Sequence, residues 1–418
     1  MIAQLQPLYP RFTAEFLPGY HLPPVPKTST RIILLRHGRS TLNDEGRYQG
    51  SSDQSELTAK GIRASQKIGQ LLQNCSIDAV YVSPLKRAQD TLAALLPHLT
   101  STLKRVATTP LLREIDLPNW EGLRYEEVRL QQSNAYRCWR EKPEQFQMVL
   151  HSPGNGGAGR WNQWNQKTRR FYPVQELYQR ARQFWQQTLP RHQGQTLLVV
   201  SHGGTNQALI NIALGLPPRQ HHALQQTHSG LTVLDCQASR CSQTRLHVLN
   251  LALNDRLPKL KSGKQGLRLL LLPCQANIPP DPTLTHLLKG TTIQAAIVEG
   301  WENSNSIRQH YPCYQAAESL LKYNPETVIL SVQRSHFWQQ WQTAIHHSPK
   351  NLEQTGLTTV LAITQSKSLH LFLKTLLALP KQSSSLSLQA NTLTAVHYPN
   401  VQKNPILQGL NLSPIPLL

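Results

Sequence analysis

The sequence predicts an α/β protein whose largely parallel sheet is covered by helices on both faces, organised as two domains. Three observations carry this. Ile32-Ile33-Leu34-Leu35 and Leu197-Leu198-Val199-Val200 are unbroken apolar runs, the pattern of strands buried on both faces rather than one. Both runs stop abruptly at histidine and glycine, in Arg36-His37-Gly38 and in Ser201-His202-Gly203-Gly204. At 418 residues, the chain also exceeds the length over which a single core keeps growing.

Taken in order, residues 1–30 hold Glu15, several prolines and no apolar stretch of the kind a secretory signal needs, and read as an irregular arm. The first strand follows. Open α/β sheets bind ligands in the crevice at the carboxyl ends of their strands. There Arg36 offers a guanidinium fork to an oxyanion, His37 a nucleophile and Gly38 a close backbone approach. After a polar loop over 44–53, Thr58 is placed to cap a helix whose stripe is Ile62, Ile68, Leu71 and Leu72. Asp78 to Ser83 is a second strand, and Leu85 to Leu99 a helix entered through Pro84. Lys86 and Arg87 in its first turn oppose the helix dipole, which points to an anion near Arg87.

Leu111 to Leu117 sets Glu114 and Asp116 among apolar residues, followed by Trp120-Glu121-Gly122. Residues 123–147 read as helical, anchored by Tyr136, Trp139 and Phe146. Residues 151–170 turn glycine-rich, then tryptophan-rich and basic, and read as a lid near the site or a surface insertion. Val174 to Leu189 is helical, Gln195 to Ser201 a strand and Asn206 to Leu214 a helix. His221, His222 and His228 lack any comparable context and read as surface or core residues.

Forty-three Lys and Arg against 23 Asp and Glu give a formal charge of +20, a field that favours acidic partners. The basic residues are scattered, with no nucleic-acid motif. The expected partner is therefore a small anionic phosphorylated substrate, with no specific nucleic acid. No apolar run reaches the roughly 18 residues of a membrane span. The six cysteines have no tight pairing beyond Cys236 and Cys241, and read as reduced thiols of a cytoplasmic protein, with no metal site.

Arg36-His37-Gly38, Asn43, Ser83-Pro84-Leu85-Lys86-Arg87-Ala88, Leu112-Arg113-Glu114-Ile115-Asp116 and Ser201-His202-Gly203-Gly204 occur in this order and context. Together they resemble the histidine phosphatase superfamily over about residues 31–250. A nearer likeness is to the plant 2-carboxy-D-arabinitol-1-phosphatase group. It rests on Arg47-Tyr48-Gln49-Gly50-Ser51-Ser52-Asp53, Leu112 to Leu117 and Tyr172-Pro173-Val174-Gln175-Glu176-Leu177.

The resemblance implies a three-layer αβα, phosphoglycerate mutase-like domain and a metal-independent phosphomonoesterase that needs no cofactor. It implies His37 as the phosphorylated nucleophile, with Arg36, Arg87, His202, Asn43 and Gly203 around the phosphoryl group. Glu114 would be the general acid, with Glu121 its rival and Asp116 a structural cap. An apolar setting for Glu114, beside a bound dianion, is the expected source of its acidity. Three positions depart from the family pattern. Arg39 stands where an acidic residue or glutamine is usual, and Pro118-Asn119 replaces a common glycine. Gly50-Ser51 replaces the Gly-Trp pair of the mutases, which favours a phosphatase over a phosphoglycerate mutase-type transferase. A noncatalytic phospho-ligand or protein-binding module is the alternative from another class.

The second half carries an echo of the first. Leu253 to Gly266 reads as a linker. Beyond it, the stretch from Thr358 to Pro380 aligns without gaps on Gln195 to Pro217, with Gln365 at the place of His202, an offset of 163 residues. Arg268 to Gln275 aligns on the anchor strand, setting Pro273 and Cys274 at the places of Arg36 and His37. Glu326 to Ser335 resembles Asp78 to Arg87. Residues 267–418 therefore read as a degenerate, noncatalytic copy of the fold, available for stability, regulation or oligomer formation. The expected organisation is an arm (1–30), a catalytic domain (31–252), a linker (253–266) and this copy.

Overall fold

Thirteen strands among the described residues form one continuous sheet, and the functional cleft lies at its carboxyl-terminal edge. The computed structural model describes residues 23–100, 105–151, 168–237, 244–253, 256–261, 263–274, 281–300, 312–333, 337, 356–379, 385–399 and 404–414. In the first half the strands are β1 (Ser29–Arg36), β2 (Ala79–Val82), β3 (Val106–Thr108), β6 (Thr196–Ser201), β7 (Leu231–Gln237) and β8 (Thr244–Leu251). In the second half they are β9 (Gly266–Cys274), β10 (Ala295–Gly300), β11 (Val328–Gln333), β12 (Leu357–Gln365), β14 (Leu393–Tyr398) and β15 (Ile406–Leu412). The short β13 (Ser385–Leu386) pairs with β8, and β4 (Met148–His151) pairs with β5 (Thr168–Phe171) as a separate hairpin. Residues 152–167, the body of the segment read as a lid, lie outside the described residues.

Alternation along the strands sorts side chains to the two faces, as the pleat requires. Ile32 and Leu34 enter one core cluster, and Ile33 and Leu35 another. Leu269 and Leu271 join the same cluster as Ile32, while Leu270 and Leu272 enter a third. One face of the sheet thus carries a single core running under both halves. It is packed by α6 (Pro173–Thr188), α7 (Gly203–Leu214) and α10 (Ser366–Leu376). The opposite face carries two separate cores. The first lies under α2 (Ala59–Leu71) and α3 (Lys86–Leu95), the second under α8 (Leu284–Leu288) and α9 (Pro312–Leu320). Thr58 caps α2 as expected, its Oγ1 accepting from the Gly61 N–H at 3.1 Å.

The strand order is β11-β10-β12-β9-β14-β15 through the second half and β8-β7-β1-β6-β2-β3 through the first, so each half repeats the other outward from the central β15–β8 contact. The inner strands β7, β8, β14 and β15 run antiparallel to their neighbours, so the sheet is mixed rather than largely parallel. Registers repeat too. Arg36 pairs with Ser201, and Pro273 with Thr364, which agrees with the offset of 163. One alignment is corrected: β2 lies beside β6, and the strand beside β12 is β10, not the strand within Glu326–Ser335. By that register Glu299 takes the place of Ser83, because Ala79 pairs with Leu197 and Ala295 with Val360. Residues 123–147 are not one helix but α4 (Tyr125–Gln131) and α5 (Ser133–Glu141), broken at Gln132 and ended before Pro143. No described helix is long and apolar enough to cross a membrane.

Candidate active site

The parallel pair β1 and β6 brings residues 165 positions apart to one edge, because their last paired residues are Arg36 and Ser201. The next residues, His37 and His202, therefore sit side by side, ring centroids 5.2 Å apart. Both are buried, at 2% and 0% exposure. Nδ1 of His37 lies 2.7 Å from the carbonyl oxygen of Gly38. A carbonyl only accepts, so Nδ1 carries the proton and Nε2 keeps its lone pair. Burial first, then Arg87 and Arg36, hold the His37 imidazole well below its usual range and therefore neutral. His202 is held down likewise, by burial, then Arg87. Its Nε2 is 2.7 Å from Ser83 Oγ, and its Nδ1 is buried without a hydrogen-bond partner.

Arg36 and Arg87 flank the pair. Arg36 Nη1 donates to the Gln226 carbonyl at 2.8 Å. Arg87, 1% exposed, donates through Nη1 and Nη2 to the carbonyls of Ser52 and Gly50. Burial lowers its pKa to about 10, which leaves it cationic at neutral pH. The Nε of both arginines is buried and unpartnered. Buried polar atoms are nearly always satisfied, so three such atoms around one imidazole pair mark a place for an anionic acceptor. Lys86, by contrast, points outward to Glu56.

Glu114 lies across the cleft, but not in the apolar setting expected. Its Oε1 accepts from the N–H groups of Ile115 and Thr205 at 3.0 Å, and its Oε2 from Gly204 N–H at 3.1 Å. It rests on the N-terminus of α7, where exposed N–H groups and the dipole favour a carboxylate. A Cβ on Gly204 would stand 2.7 Å from Oε1, so the contact depends on glycine there. From α6, Arg180 donates to the carbonyls of Arg113 and Glu114 at 2.9 and 3.0 Å and fixes this backbone.

Of the expected site residues, Arg36, His37, Asn43, Arg87, Glu114 and Gly203 line one cleft of about 230 Å3, open to solvent. His202 is not among the lining residues; its buried ring lies against that of His37. Asn43 Oδ1 accepts from Ser40 Oγ at 2.9 Å, leaving its amide N–H groups for the cleft. Glu121 does not line the cleft. It accepts from Ser51 and Ser52 N–H, bracing the loop whose carbonyls hold Arg87. Asp116 pairs with Arg113 instead of capping a helix. Arg39 pairs with Asp44 outside the cleft, so it adds no free charge to the lining. Gly38 approaches α2, not a ligand: a Cβ there would meet the Gly61 carbonyl at 2.8 Å.

Three lining or neighbouring residues carried no signal in the sequence. His221 lines the cleft against Trp139 and Tyr178, and burial lowers its pKa to about 3. His228 lies 6.0 Å from His37, brought there because β7 runs antiparallel to β1 with Leu231 opposite Leu35. Lys261 enters the cleft from the segment read as a linker, its Nζ donating to the Gln226 carbonyl.

The sequence profile of the histidine phosphatase superfamily (branch 1) matches residues 32–249. The chain belongs to that superfamily. It is 36% identical over 209 residues to a probable 2-carboxy-D-arabinitol-1-phosphatase of Arabidopsis thaliana, covering 50% of this chain and 38% of the relative. It is 32% identical over 258 residues to a 2-carboxy-D-arabinitol-1-phosphatase of Triticum aestivum, covering 61% and 47%. It is 30% identical over 186 residues to phosphoserine phosphatase 1 of Hydrogenobacter thermophilus, covering 44% of this chain and 77% of that one. The chain spans less than half the length of either plant relative.

Proposed function

We propose that this histidine phosphatase superfamily chain is a metal-independent phosphomonoesterase acting through a phosphohistidine on His37. The observation that carries the reading is the 5.2 Å imidazole pair flanked by two guanidinium groups beside one cleft. In the first step Nε2 of His37 attacks phosphorus in line, and the P–O bond to the leaving alkoxide breaks. Arg36, Arg87, the Asn43 amide and the Gly203 N–H stabilise the shifting phosphoryl charge. His202 serves if its Nδ1 carries the proton, with Ser83 Oγ–H donating to Nε2. Glu114, protonated when the phosphoryl dianion beside it opposes a second negative charge, gives that proton to the leaving oxygen. The same carboxylate then takes a proton from the water that displaces phosphate from His37.

The substrate we propose is a small phosphorylated sugar acid, such as 2-carboxy-D-arabinitol 1-phosphate. Similarity to the two plant phosphatases supports it, as does a cleft lined by Gln49, Gln207, Tyr48 and Tyr125, side chains suited to a polyol. We further read residues 267–418 as a noncatalytic copy of the same fold, joined to residues 31–252 through 253–266. The repeated strand order and register support this.

Phosphate release and acid-labile labelling of His37 test the mechanism together. In a His37→Ala variant both are expected to vanish, with release down by at least about 10³-fold. Full hydrolysis by that variant would overturn the assignment. Transfer to a second hydroxyl in place of release would identify a mutase.

A further inference from the structure

Lys261 enters the cleft from outside the segment that carries every other cationic lining residue. The chain around it is held from both halves. Leu257 is buried in the core under α8 and α9, and its N–H donates to the Leu287 carbonyl. The Lys259 carbonyl accepts from Gln225 Nε2 at 3.0 Å, and the Pro258 carbonyl from Arg268 of β9 at 2.5 Å. Gln225 is itself tied to β15, donating its N–H to the Leu407 carbonyl at 2.9 Å. Lys261 is exposed, and its ammonium reaches the Gln226 carbonyl that also accepts from Arg36. Two cations thus converge on one neutral oxygen.

One carboxylate faces three cations in the cleft. Glu114 is the sole carboxylate among the described lining residues, and its oxygens accept from Ile115, Gly204 and Thr205. With Glu114 in the protonated form its acid role requires, a phosphoryl dianion matches Arg36 and Arg87 and leaves Lys261 over. We infer that Lys261 is a specificity-determining residue that binds a second anionic group of the substrate, a carboxylate on the organic part of the phosphomonoester. This rests on the phosphatase reading above and names the substrate class that reading takes. A carboxylate beside the Lys261 ammonium favours its charged form. The second half thereby gains a task in the chemistry of the first, that of holding the lysine in place.

The test uses matched ligands differing by a carboxylate: 3-phosphoglycerate against glycerol 3-phosphate, and 2-carboxyarabinitol 1-phosphate against arabinitol 1-phosphate. Calorimetric affinity and kcat/KM are measured on the full chain, Lys261→Met and Lys261→Arg. In Lys261→Met, affinity and kcat/KM for the carboxylated members are expected to fall about 10- to 100-fold, the worth of a charged hydrogen bond. The uncarboxylated members should change by less than about twofold, and Lys261→Arg should recover much of the loss. Equal losses on both members of a pair would overturn the inference and give Lys261 to the phosphoryl group. Equal affinity of the unaltered chain for both members would overturn it as well. Carboxylate-dependent binding that Lys261→Met abolishes, in a chain that hydrolyses neither member, would keep the inference and sink the phosphatase reading alone.

Discussion

The two ends of the sheet share a strand order and register but finish their strands differently. In the first half β1 and β6 run out into Arg36-His37 and His202, with Ser83 bonded to His202 Nε2. In the second half the matching positions are Pro273-Cys274 and Gln365, and Glu299 stands where Ser83 does. Glu299 Oε2 accepts from the Gln365 N–H at 3.0 Å and from Thr364 Oγ1. A carboxylate built into the protein thus takes donors of the second half's strand ends. On the reading that residues 267–418 are a noncatalytic copy, a few residues at strand ends separate the two halves.

The comparison is broken most severely by disturbing the first half's carboxylate seat. Gly204→Ala drives a Cβ into Glu114, and kcat is expected to fall about 10²-fold by steady-state kinetics, the cost of a misplacement near 1 Å. The matching substitution by offset, Lys367→Ala, should leave kcat unchanged. Near-normal turnover in Gly204→Ala would show that Glu114 does not need this seat.

A smaller effect is expected from Glu299→Ala. It strands the buried Thr364 hydroxyl and the Gln365 N–H, at a cost of about 1–3 kcal/mol in urea unfolding, with turnover intact. Unchanged stability would mean that Glu299 is not the internal partner of those strand ends.

The gentlest test is pH. His37, His202, His222 and His228 are all held below the ordinary histidine range, mainly by burial, and His221 lies at about 3. The unfolded chain binds these protons near pH 6.5 while the folded chain refuses them. Stability is therefore complete above about pH 6.5 and is lost as pH falls toward the depressed values. Each histidine contributes at most about 1.4 kcal/mol per pH unit. Thermal midpoints in phosphate-free buffer should drop below pH 6.5, and His221→Gln should flatten the slope by one histidine's share. A flat acid limb in the unaltered chain would contradict the burial of these rings.

Much of this was legible in the sequence. Continuous apolarity marked β1 and β6, and the residues closing them, Arg36, His37 and His202, reached the edge that parallel strands dictate. Arg87 was legible from its misfit at a helix start, which burial against the Gly50 and Ser52 carbonyls explains. Glu114 was legible as a residue but not in its surroundings, because α7 supplies them from about 90 positions away. His228 and Lys261 were illegible. Each depends on which strand or half lies alongside, and local pattern carries no record of that. The alignment of Glu326–Ser335 failed for a related reason: short apolar strands look alike, and only pairing tells which one lies beside β12.

The sequence by itself determined the strands β1, β2, β6, β9 and β12, the cap of α2 and the residues at those strand ends, because periodicity and capping are local. Tertiary structure decided which of those ends meet, what Glu114 rests on and how a lysine from between the halves comes to face the cleft. These are contacts between residues far apart in the chain. They exist only once the sheet has fixed the order of its strands.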